Sequence, residues 1–187
     1  MQPLILRVDI GGQPMGWVPW QEAIVLYVKE QITWTAGDTP LRFYGGVNRV
    51  SGMRSYIDVH PVVAARGSVF AKAYTAQTPL TNRDLFRRDG HACMYCLAAL
   101  PDRQLTRDHI MPVSRGGEDV WMNVVTACVA CNQRKGARTP EEAGMRLYAV
   151  PYTPSYVEWL ILRNRTILAD QMAFLRTRCP KNSPLRM

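Results

Sequence analysis

Two C-x-x-C pairs, Cys93/Cys96 and Cys128/Cys131, separated by 31 residues, constrain this chain more than any other feature of its sequence. Two residues between thiolates let one tight turn present both sulfurs to a single ion, and two such turns supply the four ligands of a closed tetrahedral zinc site. The segment between the pairs must then fold back on itself. A redox dithiol or four unrelated buried thiols would require the two pairs to have arisen independently. Cys179 has no partner at such spacing and reads as a free thiol.

A chain of 187 residues allows one compact domain or two small modules sharing a core, at roughly 100–200 residues per domain. With 47% hydrophobic and 20% charged residues it can bury a core. The longest apolar run, Ala23 to Val28, is far short of the roughly 20 residues that span a bilayer, so no membrane partner is expected. The N-terminus is broken by Arg7 and Asp9 and does not read as a secretory signal, which makes a reducing, cytoplasmic location the expectation.

Lysine and arginine number 23 against 15 acidic residues, a formal charge of +8, which suits a polyanionic partner. Residues 1–80 carry 7 basic and 5 acidic residues, 81–150 carry 10 and 8, and 151–187 carry 6 and 2. The C-terminal part is the most basic per residue.

The pattern predicts three parts. Residues 1–80 read as a small β-rich mixed module, with strands over Leu4–Ile10, Gln31–Thr35, Leu41–Tyr44 and Ser55–Ala65 and a helix beginning at Pro19. Trp17, Trp20 and Trp34 read as packing residues. Residues 81–150 hold both cysteine pairs, a short helix over Arg83–Arg88, a strand over Gln104–Ile110, a glycine-containing loop and an apolar segment, Val124–Ala127. Thr139, Pro140 and Glu142 resemble a capping box and predict a helix from about residue 140. Residues 151–187 are expected to form one long basic helix, from Ser155 to Arg178, and a tail.

Between the cysteine pairs stands Asp108-His109, followed by Asn123, and the second pair runs on into Asn132 and Lys135-Gly136. A structural metal here would gather a strand, a loop and a helix start around a carboxylate, an imidazole and an amide, a set suited to hydrolysis. With Arg88-Asp89-Gly90, Ser114-Arg115-Gly116-Gly117 and the cysteine pairs in this order, residues 81 to about 148 resemble the HNH endonucleases, the ββα-metal or His-Me finger nucleases, in their zinc-stapled branch.

The resemblance implies an α+β fold: a ββα-metal core with a four-cysteine zinc site, preceded by the β-rich module and followed by a C-terminal helix. It implies that His109 is the general base on the attacking water, a role suited to a side chain whose ordinary pKa is about 6.5. Asp108 matches the metal-binding carboxylate. Asn132 stands where many members have a final histidine, and its amide oxygen suits a hard cation, Mg²⁺ or Mn²⁺. Asn123 matches the asparagine that ties the loop down and so orients the histidine. Arg107, Arg115, Arg134, Lys135 and Arg138 are the candidate phosphate contacts, with Lys135 and Arg115 favoured because they lie within the matched motifs. His91 reads as a surface turn residue rather than a metal ligand, and His60 as structural.

The expected activity is thus metal-dependent hydrolysis of DNA phosphodiesters, with RNA as a further candidate substrate and the N-terminal module as the candidate surface for a homodimer. The competing reading is a zinc-stabilised nucleic-acid-binding protein without hydrolytic activity. Zinc stapling alone requires none of Asp108, His109, Asn123 and Asn132, so their joint presence favours the enzyme.

Overall fold

The computed structural model describes residues 3–66 and 78–186. Its elements, in chain order, are β1 (Ile5–Val8), β2 (Pro14–Val18), α1 (Trp20–Val28), β3 (Ile32–Ala36), β4 (Leu41–Val47), β5 (Arg54–Val59), β6 (Val62–Ala65), α2 (Asn82–Arg88), β7 (Leu105–His109), β8 (Val124–Cys128), α3 (Val129–Lys135), α4 (Tyr156–Arg163) and α5 (Ala169–Arg176). Short 3₁₀ turns join several of them. The fold is mixed α+β. Two compact units divide the chain, residues 1–76 with 156–187, and residues 77–155. No helix among the described residues is long and apolar enough to cross a membrane.

In the first unit a four-stranded sheet has the order β2-β1-β6-β3, with β1 and β6 parallel and the two outer pairs antiparallel. All four residues of β1 and of β6 are buried, as expected for strands covered on both faces. The two-residue alternation sorts them. Ile5 and Val63 pack with Val18, Ala23 and Val59 beside Trp20 and Ile24 of α1, whereas Leu6, Val8, Val62 and Ala64 pack with Val157 of α4 and Leu175 of α5. Gln171 on α5 is buried and donates from Nε2 to the carbonyls of Leu4 (2.7 Å) and Pro61 (2.8 Å), which satisfies backbone groups at the sheet end.

Three expectations change here. The segment expected as strand over 55–65 divides into two strands, β5 and β6, because Pro61 cannot donate to a ladder; its carbonyl instead accepts from Leu6 N. The single terminal helix is two helices, and its residues belong to the first unit rather than forming a separate C-terminal part. Asn164 Oδ1 accepts from Thr166 N at the break, and Gln171 Oε1 then caps the new helix at Leu168 N. The predicted helix near 140 does not form. Thr139 and Glu142 exchange the expected capping bonds, but the turn they cap ends at once, with Gly144 at φ +62°.

In the second unit β7 and β8 form an antiparallel pair in the register Leu105↔Cys128 to His109↔Val124, and α3 follows β8 directly. Arg88, at the end of α2, is buried in this unit. Its guanidinium donates to the carbonyls of Trp121, Val124 and Tyr152 and to the carboxylate of Asp89, whose Oδ2 also accepts from Thr126 N. Arg88-Asp89 therefore clamps α2 to β8, a structural duty that explains why both charges are affordable in the interior.

Candidate active site and zinc-binding cluster

The four cysteines of the two pairs converge. The Sγ atoms of Cys93, Cys96, Cys128 and Cys131 all lie within 4.8 Å of one another, and all four are free thiols. Leu97 takes the left-handed conformation (φ +61°) that closes the first turn, while Cys128 is the N-cap of α3 and its Sγ accepts from Cys131 N at 3.4 Å. Burial pushes the Cys93 thiol up, but backbone N–H groups of Cys128, Tyr95 and Cys96 outweigh it and bring the group down to about 7. Four convergent thiols with backbone donors aimed at sulfur fit a structural zinc ion.

The geometry that this cluster anchors is centred on His109, the last residue of β7. Ile110 N donates to the Asn123 carbonyl, and Asn123 Oδ1 accepts from Met111 N at 2.9 Å while its Nδ2 donates to the carbonyls of Met111 (3.1 Å) and Glu118 (2.8 Å). One amide thus staples both ends of the loop from 110 to 123. Gly116 lies at φ +86°, and a side chain at Gly117 would collide with the Met111 carbonyl, so this pair of glycines is demanded by the loop's closure.

The closed loop delivers Asp119 to His109. Asp119 Oδ1 lies 2.9 Å from His109 Nε2 and 2.7 Å from a guanidinium nitrogen of Arg107. Arg107 first, and His109 in addition, hold the Asp119 carboxyl below its ordinary range, so it is an ionised acceptor. An ionised carboxylate can only accept, which requires Nε2 to carry the hydrogen. In the neutral imidazole the lone pair then resides on Nδ1. Asp119 has no counterpart in the motifs read from sequence; its signal was its place two residues after the glycine that the closed loop requires.

Asp108 lies on the other side of β7, since adjacent strand residues face opposite ways. It is 4% exposed, and Lys135 is 1% exposed. Lys135 Nζ donates to Asp108 Oδ1 (3.0 Å) and to the His109 carbonyl (2.7 Å), and Tyr95 Oη donates to Asp108 Oδ2 (2.5 Å). Burial, with the Asp108 hydrogen bond next, raises the Tyr95 phenol well above its ordinary value and keeps it a donor. Asn132 donates from Nδ2 to Thr106 Oγ1 at 2.9 Å.

One sequence expectation is corrected by this arrangement. Lys135 is not a phosphate contact, because its ammonium is buried and spent on Asp108 and the His109 carbonyl. Asp108, expected with Asn132 as a cation ligand, has one bond on each carboxylate oxygen in the interior, from Tyr95 Oη and from Lys135 Nζ. The remaining candidates for phosphate differ in their freedom. Arg115 pairs with Glu142, whose carboxyl it holds low, and Arg107 pairs with Asp119. Arg138 donates to the carbonyls of Arg134 and Lys135 and so caps the end of α3. The Arg134 guanidinium is exposed and makes no bond among the described residues. His91 pairs with Asp102, and His60 bonds the Gly37 carbonyl.

Comparison with known proteins agrees with the centre of this unit. Residues 93–148 match the family model of the HNH endonucleases. A solved structure of the Type II-C Cas9 enzyme from Actinomyces naeslundii is similar at 21% identity and a TM-score of 0.28, over 57% of this chain and 17% of that one. The chain therefore matches less than a fifth of that protein's length. No curated protein matches the chain. The matched family segment contains the four thiols, His109, Asp119, Asn123 and Asn132.

Proposed function

We propose that this protein is an endonuclease of the HNH type that hydrolyses phosphodiester bonds in DNA, with His109 as general base. The observation that carries this reading is the pairing of His109 Nε2 with Asp119, which leaves Nδ1 as the basic nitrogen at the end of β7. Nδ1 takes a proton from water as its oxygen attacks phosphorus; the P–O bond to the 3′ carbon's oxygen breaks, and that oxygen leaves with a proton from solvent. Asp119 holds the ring's tautomer and stabilises the imidazolium formed in that step, as a carboxylate does in a catalytic triad. Arg134 supplies an unpaired cation for a substrate phosphate.

The zinc ion is structural in this reading, fixing β8 and the start of α3. One chain offers one His109 site, so a monomer nicks one strand per binding event, and a double-strand break needs two events or a two-fold dimer.

Supercoiled plasmid incubated with and without Mg²⁺ or Mn²⁺ tests the proposal. Open circles should form with the parent and not with His109→Ala, and the same assay on a labelled RNA separates the two nucleic-acid classes. Equal cutting by parent and variant would overturn the assignment.

A further inference from the structure

The strands β4 and β5 form a two-stranded sheet of their own, hydrogen-bonded to no other strand among the described residues. Its two faces have different company. Leu41, Phe43, Ile57 and Val59 turn inward, and Phe43 stacks on Trp20 of α1 with ring centroids 4.6 Å apart. The ribbon is therefore firmly seated at its base. The other face carries Arg42, Tyr44, Arg54, Tyr56 and Asp58.

On that outer face Tyr44 and Tyr56 are direct cross-strand partners, and each lies beneath an arginine from the opposite strand. The Arg42 guanidinium is 4.1 Å from the Tyr56 ring centroid, and that of Arg54 is 5.0 Å from Tyr44. Arg42 is further held by two bonds of 2.8 Å to Asp58, whereas Arg54 hydrogen-bonds, among the described residues, only to the Gly45 carbonyl. The ribbon has three arginines against one aspartate.

The tip is ordered rather than frayed. Asn48 Oδ1 accepts from Val50 N (2.8 Å) and Ser51 N (3.0 Å), and the Asn48 backbone bonds to Met53 and Gly52. This turn projects Arg49 and Val50 outward, with Val50 97% and Met53 71% exposed. Exposed apolar side chains on a built turn, flanked by arginines, are not explained by packing within the chain.

We infer that the β4–β5 ribbon is an arm that binds duplex DNA. This choice of ligand rests on the nuclease reading, while the arm itself is separate from the His109 site. A two-stranded ribbon fits a DNA groove about 12 Å wide, arginines pre-set on tyrosine rings reach phosphates with little loss of side-chain freedom, and an apolar tip residue packs against sugars and base edges. Arg49 and Arg54 contact phosphate, and Val50 enters the groove. Charge selects this occupant over a second copy of the chain, because two ribbons with the same excess of arginine repel each other.

The test is fluorescence anisotropy of the full-length protein on a 20-base-pair duplex, across a range of salt and without added divalent cation. The double variant Arg49→Ala/Arg54→Ala should lower the slope of log affinity against log salt by about 2, and Val50→Ser should weaken binding roughly 3-fold to 10-fold at an unchanged slope. All of these positions are exposed, so thermal melting should match the parent. Unchanged affinity and slope would overturn the arm, as would failure of the parent to bind duplex, or a loss of dimer mass on light scattering with DNA binding intact. A parent that binds through the ribbon yet never cuts would overturn the nuclease reading and leave the arm standing.

Discussion

His109 Nε2 lies 2.9 Å from Asp119 Oδ1, and that contact decides which ring nitrogen of His109 can act as a base. Asp119→Ala should lower the single-turnover cleavage rate roughly 10-fold to 100-fold, less than the loss of His109 itself, with duplex affinity nearly unchanged. Asp119→Asn keeps an oxygen that can accept from Nε2 and should recover part of the rate. A purely structural role for Asp119 would instead lower the melting temperature of both variants and leave their rates equal.

The buried Asp108–Lys135 pair should behave as a stability element. Lys135→Met leaves Asp108 with an uncompensated charge and should cost about 3–5 kcal/mol in denaturant unfolding. Salt-dependent DNA binding of the folded variant should keep the parent's slope. A slope reduced by about 1 would return Lys135 to the phosphate contacts.

Tyr95 gives a pH test. Burial, and then Asp108, raise its phenol in the folded state, so its contribution is fully present below pH 10 and is lost as pH rises further and the unfolded chain ionises. Tyr95→Phe leaves Asp108 short of a donor and should cost about 1–3 kcal/mol at pH 7. The gap in melting temperature between parent and variant should narrow above pH 10. A gap that widened with pH would contradict the buried, protonated phenol.

Zinc removal should act on folding before chemistry. Structural zinc sites contribute about 10–16 kcal/mol of apparent binding free energy, so a strong chelator should unfold residues 77–155 and expose four thiols to alkylation. Circular dichroism with elemental analysis follows both, and about one zinc per chain is expected. A metal-free protein with the parent's spectrum would contradict a structural role.

The four-thiol cluster was legible in the sequence because C-x-x-C spacing is a local property that a tight turn converts directly into geometry. Helix α1 was legible for the same reason, since Pro19 and the apolar spacing after it lie within one short segment. The break between α4 and α5 was hidden because the apolar positions continue past Asn164 and the side-chain bonds that stop the helix carry no periodic signal. β2 was missed because Pro14 and Gly16 disfavour a strand, and its pairing with β1 supplies what propensity lacks.

The site was legible in its residues and not in its sides. Motif matching treated Asp108 and His109 as one centre, yet neighbours on a strand point to opposite faces, and the expected strand over 104–110 already contained both. The destination of Asp108 depends on Lys135, 27 residues away, and that of Asp119 on a loop closed by Asn123 and Gly117. Such partners meet only in the folded chain.

The most direct test is the single-turnover cleavage rate of His109→Ala on a labelled DNA duplex, with protein in excess and Mg²⁺ or Mn²⁺ present. The rate should fall by about 10²-fold or more while zinc content, melting temperature and duplex affinity match the parent. Cleavage by His109→Ala at the parent's rate, with those three properties unchanged, would show that another group activates the water.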